Sequence, residues 1–301
     1  MKRVLVTGAS GFVGAQAVPL LQASGFEVHG VSSRPQPPVA SMRWHQTDLL
    51  GADSAERVVA DARPSHLLHL AWYAEPGKYW TDPVNARWVE ASMRLVKAFR
   101  EAGGQRAVVA GTCAEYDWNS GTCREQATPL KPATVYGRCK HETQGLLGAY
   151  SRATGLSSAW GRIFYIYGPG EPAQRLVPSV IRSLLSNAPA KCTAGEQARD
   201  FLHVQDVARA FVLLLESGHQ GPINIASGRA TPVKELASEI ARQLRRPDLL
   251  QLGALRSAEN EPPSIMGDAG ALTRLGWAPR HDLAGGIGQT IEWWKEHLEK
   301  V

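Results

Sequence analysis

Tyr136 and Lys140 stand four positions apart in the stretch Thr134-Val135-Tyr136-Gly137-Arg138-Cys139-Lys140. On a helix that spacing puts both side chains on one face, one turn apart. A free phenol ionises near pH ~10, too high for ready proton exchange at neutral pH. An ammonium beside it stabilises the phenolate and lowers that value, which gives a usable general acid or base. The spacing by itself is weak, because a solvated helix face produces Tyr-x-x-x-Lys by chance. Its meaning depends on the elements that would position the pair.

The first of these elements opens the chain. Val4-Leu5-Val6-Thr7 reads as a buried strand, Gly8-Ala9-Ser10-Gly11-Phe12-Val13-Gly14 follows at once, and a helical pattern runs through Ala17, Leu20 and Leu21 to a stop near Gly25. In such a strand, glycine turn and helix the backbone can approach a pyrophosphate at a helix N-terminus, so the opening predicts dinucleotide binding. Further short strands, Glu27 to Ser32, about Arg43 to Gln46, His66 to Ala71 and Ala107 to Gly111, are separated by helical stretches. The alternation predicts an α/β fold, a Rossmann-type doubly wound parallel sheet.

Bulk properties set outer bounds. A chain of 301 residues accommodates one large α/β domain, or a domain with a smaller lobe. A composition 44% hydrophobic and 20% charged is that of a soluble globular protein. The net charge is +5 and the pI about 9.1, yet the nearest thing to a basic run is Arg245-Arg246. A nucleic-acid partner is therefore unsupported, whereas a phosphorylated small ligand suits a mild positive field. Cys113, Cys123, Cys139 and Cys192 have neither metal-ligand spacing nor a short secreted framework, so reduced thiols and no metal are expected. Met1-Lys2-Arg3 runs straight into the first strand, and no segment offers the roughly 20 apolar residues of a membrane span. A cytoplasmic location without a membrane partner is expected.

The spacing Gly8-x-x-Gly11-x-x-Gly14, the pair Tyr136 and Lys140, and the block Arg199-Asp200-Phe201-Leu202-His203-Val204-Gln205-Asp206 together resemble the short-chain dehydrogenase/reductase superfamily. The likeness is to its extended branch, the nucleotide-sugar epimerases, dehydratases and reductases, and covers nearly the whole chain. It implies a Rossmann domain over residues 1–167 and a smaller C-terminal substrate-binding lobe over 168–301, with 200–226 returning to the first domain. The catalytic set it implies is Thr112, Tyr136 and Lys140. Cofactor contacts fall on Gly8, Ser10, Gly11, Phe12, Val13 and Gly14 in the turn, on Ser32, Ser33 and Arg34 after the second strand, and on Asp48 and Leu49 after the third. Leu70, Ala71 and Trp72 after the fourth strand complete them, with Tyr136 and Lys140. Tyr73, Cys113, Tyr165, Arg175, Arg199 and Arg256 are the implied substrate contacts, with Arg199 as a clamp on the nucleotide diphosphate or, alternatively, part of a structural ion pair. Asp48 would contact the adenine, or cap a helix, or both. Members of the branch often form homodimers through a four-helix contact, here the Tyr136 helix and the one near Trp88.

Departures from the family pattern narrow the chemistry. The second strand ends in Ser32-Ser33-Arg34 without the acid that binds the ribose 2′-hydroxyl of NAD, and an arginine suits a 2′-phosphate. NADP(H) is accordingly favoured over NAD(H). Cys113 and Ala114 stand where family dehydratases place an acid pair, and Ala114 where C3/C5 epimerases place a cysteine base. Trp88-Val89-Glu90-Ala91-Ser92 replaces Asn-Val-x-Gly-Thr, and Tyr165 replaces a frequent asparagine. The aromatic run Trp72 to Trp80 reads as a loop at the C-terminal edge of the sheet, either covering the core or stacking on substrate. What survives is hydride transfer with a proton through Tyr136. The favoured expectation is NADPH-dependent reduction of the 4-keto group of a nucleoside-diphosphate sugar. Its rivals are an NAD-dependent 4-epimerase using the same three residues, reduction of a non-sugar ketone, and a catalytically silent NADPH-binding regulatory protein.

Overall fold

Strands that are apolar on both faces need cover on both sides, and a parallel sheet flanked by helices provides it. The computed structural model describes residues 2–39, 42–259 and 261–298. Its main sheet holds β1 (Arg3–Thr7), β2 (Glu27–Ser32), β3 (Met42–Gln46), β4 (His66–His69) and β5 (Arg106–Thr112), with Ser157–Ile163 and Gly221–Ile225. The order across it is Gly221–Ile225, Ser157–Ile163, β5, β4, β1, β2, β3, every pairing parallel. The winding reverses between β1 and β4, which opens the crevice where such sheets bind ligands. This is the doubly wound Rossmann-type sheet expected from the sequence.

Alternation along β1 shows how the layers form. Val4 and Val6 enter a core with Ala17 and Leu21 of α1 (Phe12–Ala23), while Leu5 points to the opposite core with Val58, Leu95 and Leu147. That second layer is built from α2 (Ser54–Ala62), α3 (Val84–Glu101) and α4 (Val135–Thr154). A smaller sheet, ordered Ala230–Pro232, Ala198–His203, Ser264–Gly267, Thr122–Cys123, also takes Tyr165–Tyr167 alongside Ala198–His203. Beside it α5 (Leu176–Leu185), Val233–Gln243 and Leu283–His297 enclose a third core around Ile181, Leu236, Ile240 and Trp294. The last of these helices starts at Leu283, where the Asp282 carboxylate caps it by accepting from Gly285 N at 2.7 Å.

The chain passes between the two sheets several times. Ala198–His203 lies in the smaller sheet, α6 (Val204–Glu216) packs through Val207, Phe211 and Leu214 into the core beside α1, and Gly221–Ile225 closes one edge of the main sheet. Thr122–Cys123, from the first half of the chain, pairs in the smaller sheet. The crevice at the C-terminal ends of the main strands therefore has walls from both halves.

Helix α4 sets the position of the tyrosine-lysine pair. Thr134 caps it, its hydroxyl accepting from Gly137 N at 3.0 Å, and Gly155 ends it with a φ of 68°. At Gly137 the helix touches the 3-10 turn Cys113–Glu115, where a Cβ would lie 2.3 Å from the Ala114 carbonyl oxygen. That approach brings Tyr136 up to the end of β5. Gly137→Ala is expected to lower stability by about 1–3 kcal/mol through this overlap. Gly145→Ala on the same helix meets nothing within 4 Å and is expected to raise stability by up to about 1 kcal/mol. Urea unfolding midpoints of the two variants should move in opposite directions.

Candidate active site

Lys140 is only 3% exposed. Its Nζ donates to the Ala110 carbonyl at 2.7 Å and sits 3.8 Å from the centroid of the Trp72 ring. A cation over a desolvated indole face is favourable by about 2 kcal/mol or more, but burial also strips water from the ammonium. Burial dominates: Lys140 is lowered to about 7, with the Glu115 carboxylate pulling the other way.

Tyr136 occupies the first turn of α4, its backbone N–H donating to Trp80 O at 3.1 Å. Three rings stand edge-on to it, Tyr79 at 4.9 Å, Trp80 at 5.7 Å and Trp72 at 6.4 Å between centroids. Burial, and Tyr79 beside it, hold the phenol above its ordinary range, while a hydrogen bond with the Thr112 side chain opposes them. The expected depression of Tyr136 by the lysine is thus reversed here. Lys140 turns its hydrogen bond to Ala110 and its charge to Trp72, so the phenol stays protonated and stands ready as a donor.

Thr112 ends β5 and is buried. Its N–H donates to Glu115 Oε1 at 2.9 Å, and its hydroxyl accepts from Ala114 N at 3.2 Å, a reciprocal cap on the 3-10 turn. Glu115 is fully buried and also accepts from Trp160 Nε1 at 2.8 Å and Arg162 Nε at 2.7 Å. Thr112 at the end of β5 and the pair Tyr136 and Lys140 on α4 thus come from two segments, Thr112 reaching Tyr136 and Trp72 touching both members of the pair.

The glycine turn supplies the second half of the site. A Cβ on Gly8, whose φ is +70°, would lie 2.9 Å from Ala71 N, and one on Gly14 would lie 2.0 Å from Gly8 O. The turn is therefore bare backbone leading into α1, whose first turn carries no acid, and Ser10, Gly11, Phe12 and Val13 belong to it. Backbone at a helix N-terminus in this form suits a pyrophosphate. Ala71 N donates to Thr7 Oγ1 at 3.2 Å, which holds the segment Leu70-Ala71-Trp72 against the turn. At the end of β2 the Ser32 hydroxyl accepts from Arg34 N and Gln36 Nε2, Ser33 and Arg34 are exposed, and Arg34 helps line a cavity of about 230 Å³ with Trp44, His45 and Gln46. Asp48 is exposed and accepts from Leu50 N at 3.0 Å, Leu49 is buried, and the cap of α2 is Asp53. Asp48 is thus a turn residue and not the helix cap that its position allowed.

The expected substrate contacts divide. Arg175, just before α5, lies 5.2 Å from the Tyr79 centroid, and Tyr79 touches Tyr136, so these three are contiguous. Tyr165 lies 5.5 Å from Arg199. The Arg199 donors are engaged within the protein, on Glu261 Oε1 at 2.8 Å and on the carbonyls of Ala198 and Pro262. Asp200 is not its partner and accepts instead from Ser227, Gly228 and Gly267. Cys113 is buried with Tyr116, Cys123 and Phe164, and burial pushes its thiol up. Tyr73 donates to Glu75 on the outer part of the aromatic loop, and Arg256 sits on an exposed loop where, among the described residues, no contact ties it to the others.

Two functional groups escaped the sequence reading. Glu115 was legible as the fourth residue of Thr112-x-x-Glu115, the spacing of a capping box. Asn85 follows Asp82-Pro83 at the start of α3 and is fully buried, and nothing in its local pattern marks it. Trp88, in place of the family asparagine, stacks on Trp72 at 6.0 Å. Among the described residues no group of His, Cys, Asp or Glu could hold a metal ion, and no helix is long and apolar enough to cross a membrane.

The family model for the NAD dependent epimerase/dehydratase family matches residues 4–226. A UDP-glucose 4-epimerase of Rhizobium meliloti (strain 1021) is 26% identical over 96% of this chain and 96% of its own. The structure of MoeE5 in complex with UDP-glucuronic acid and NAD is 32% identical, covers 98% of this chain and 99% of that one, and superposes with a TM-score of 0.84. A UDP-glucose 4-epimerase of Thermotoga maritima shares the fold at 23% identity, with a TM-score of 0.88 and 99% of this chain covered against 100% of its own.

The depressed Lys140 makes stability depend on pH. Between about 7 and the ordinary lysine value of 10.5 the unfolded chain binds more protons than the folded one. Stability from this residue therefore rises with pH across that window and falls as pH drops through it. Other groups titrate as well, so the difference between wild type and Lys140→Met isolates the lysine. That difference should change by up to about 1.4 kcal/mol per pH unit. A difference that stays flat from pH 7 to 10 in urea titrations would mean that Lys140 is hydrated.

Proposed function

The chain belongs to the NAD dependent epimerase/dehydratase family, and on that premise we propose that it is an NAD-dependent 4-epimerase of a UDP-linked hexose or hexuronic acid. The observation that carries the reading is the single proton-handling cluster of Thr112, Tyr136 and Lys140. The neighbouring Cys113 is a buried thiol raised by burial, and Ala114 has no titratable group. The site thus offers tools for oxidising and reducing one carbinol, while positions 113 and 114 supply no acid–base pair for elimination and the Glu115 carboxylate is taken up by Thr112 N, Trp160 and Arg162.

The bare-backbone turn at Gly8, Gly11 and Gly14 fits a dinucleotide, with Ser32 and Arg34 at its adenosine end and Lys140 at its nicotinamide end. When bound, NAD supplies the acceptor and donor of hydride. Tyr136 takes the proton of the C4 hydroxyl as that carbon is oxidised, and returns it to the same oxygen once the other face of C4 is presented. Taking that proton requires the phenolate, which burial and Tyr79 disfavour and the Thr112 hydrogen bond favours, so the reading needs the phenol to ionise once the site is loaded. Thr112, hydrogen-bonded to Tyr136 and held by Glu115, keeps the phenol oriented.

Ser32-Ser33-Arg34 favours the other reading, NADPH-dependent reduction of a 4-keto sugar nucleotide. The epimerase has wider support. The relatives matched along their whole length include UDP-glucose 4-epimerases, and MoeE5, 32% identical, is seen with UDP-glucuronic acid and NAD. The intact catalytic set speaks against a silent regulatory protein.

Incubation with UDP-glucose or UDP-glucuronic acid, followed by proton NMR of the anomeric signals, is expected to give the C4 epimer without net consumption of NADPH. Stoichiometric NADPH oxidation with a 4-keto sugar nucleotide and no interconversion would favour the reductase and sink the epimerase. Tyr136→Phe should lower turnover by about 10²-fold or more while NAD binding is retained. Unchanged turnover in that variant would remove the mechanism.

A further inference from the structure

Asn85, the second residue of α3, is fully buried, and its amide faces three partners. Oδ1 accepts from Trp72 Nε1 at 2.7 Å, and Nδ2 donates to the carbonyls of Tyr79 at 2.7 Å and Asp82 at 2.8 Å. The two carbonyls and the indole N–H fix which end of the amide is nitrogen, and both donors are used. A buried amide without partners is strongly unfavourable, so this arrangement is a constrained one.

Two of the partners, Trp72 and Asp82, are the ends of the aromatic strap over residues 72–82, and the third, Tyr79, lies within it. Between those ends the strap closes on the reacting pair. The Trp72 face lies on the Lys140 ammonium, the Tyr79 and Trp80 rings stand edge-on to Tyr136, and Trp80 O holds Tyr136 N. Asn85 touches neither Tyr136 nor Lys140 in any of these contacts, yet its bond to the indole N–H fixes how the ring is turned. Stacking on Trp88 supports the same ring from a second side.

We propose that Asn85 is a positioning residue that clamps both ends of the 72–82 strap, keeps Trp72 face-on to Lys140 and water away from it, and so sets the pH range in which the Tyr136–Lys140 pair exchanges protons. The proposal rests on the proton-transfer role given to the pair above, and not on which sugar is turned over. The charged and titratable groups that act on the ammonium are Glu115 from the 3-10 turn and His69 at the end of β4, and Tyr136 lies one turn back on its own helix. His69 is lowered to about 3, by burial and then by Lys140, and is therefore neutral near pH 7. Its ring is tied to Thr7 and Ser92. None of these groups hydrogen-bonds Asn85, so a change caused by replacing it reports the strap.

The test uses the full chain and two variants. Asn85→Leu removes all three hydrogen bonds at nearly constant volume. Trp72→Phe keeps an aromatic ring and removes only the indole donor. Trace acetylation with acetic anhydride across pH 6 to 11 as a stated range, read by mass spectrometry at the Lys140 peptide, gives the titration midpoint of that lysine without any substrate. With the strap loosened the ammonium is rehydrated, and the midpoint is expected to rise by about one unit or more, a fall of about tenfold in the unprotonated fraction at a pH well below both midpoints. The pH profile of sugar-nucleotide turnover should move in the same direction. An unchanged midpoint in a folded Asn85→Leu variant overturns the proposal, and if that variant fails to fold, an unchanged midpoint in Trp72→Phe does so. A shifted midpoint with an unmoved turnover profile overturns the link to proton exchange. If wild type turns over no UDP-sugar yet the midpoint shifts, the clamp on Lys140 stands and the proposed function fails.

Discussion

Glu115 has no exposure to water and accepts from donors on two strands of the main sheet: Thr112 N on β5, and Trp160 Nε1 and Arg162 Nε on the neighbouring strand. A carboxylate in that position costs several kcal/mol in lost hydration unless it is paired and fully hydrogen-bonded. Arg162 passes the network on. Its Nη1 donates to the Tyr116 hydroxyl, which donates to Asn224 Oδ1, and Asn224 Nδ2 donates to Cys123 O. Three strands of the main sheet and one of the smaller sheet are thereby tied to a single buried anion. The position of Thr112, and through it the orientation of Tyr136, follows from this network. The same carboxylate is the negative charge that works to keep Lys140 protonated.

Burial acts on the tyrosine and the lysine with opposite signs. Loss of hydration penalises whichever form is charged, so it raises the phenol and lowers the amine. Both groups are driven towards neutrality, and their ordinary order is reversed, the phenol now keeping its proton to higher pH than the amine. Most of the rings around the pair come from one loop, and Trp160 of the main sheet adds another, 5.8 Å from Lys140 Nζ. Had Tyr136 and Lys140 been on a solvated helix face, which the spacing alone allows, neither shift would arise. The rings that enclose the pair thus change what the pair can do, because an amine lowered to about 7 can gain or lose its charge near neutral pH where an ordinary lysine cannot.

The sequence made the frame legible for physical reasons that act locally. Val4 to Thr7 followed by glycines at 8, 11 and 14 leaves few alternatives to a strand, a tight turn and a helix, and the structure shows that a Cβ at Gly14 would overlap Gly8 O. The spacing of Tyr136 and Lys140 was legible because a helix fixes side-chain direction, whereas Thr112 came from the family resemblance and not from a local signal. What escaped depends on partners far along the chain. Arg199 meets Glu261 across 62 positions, and the charge on a guanidinium says nothing in advance about which acid will face it. The sign of the Tyr136 shift needs the loop conformation, which an aromatic run around Pro76-Gly77 does not dictate. Cofactor choice escaped for a different reason. Ser32-Ser33-Arg34 reports a missing acid, and an exposed arginine accepts several explanations.

Trp88 and Asn85 lie one turn apart on α3 and bear on the same loop. Where the resemblance leads one to expect a polar amide at position 88, this chain presents an indole that stacks on Trp72. The amide stands at Asn85 instead, where it binds the edge of that same Trp72 and the backbone of the strap. The two departures make sense together. A tryptophan at 88 gives Trp72 a flat surface to lie against, and the amide at 85 fixes its rotation about that surface, so the ring has one orientation in which its face meets Lys140. Either residue alone would leave the indole a degree of freedom. The lysine's surroundings thus depend on two residues of one helix, acting through a loop that neither belongs to.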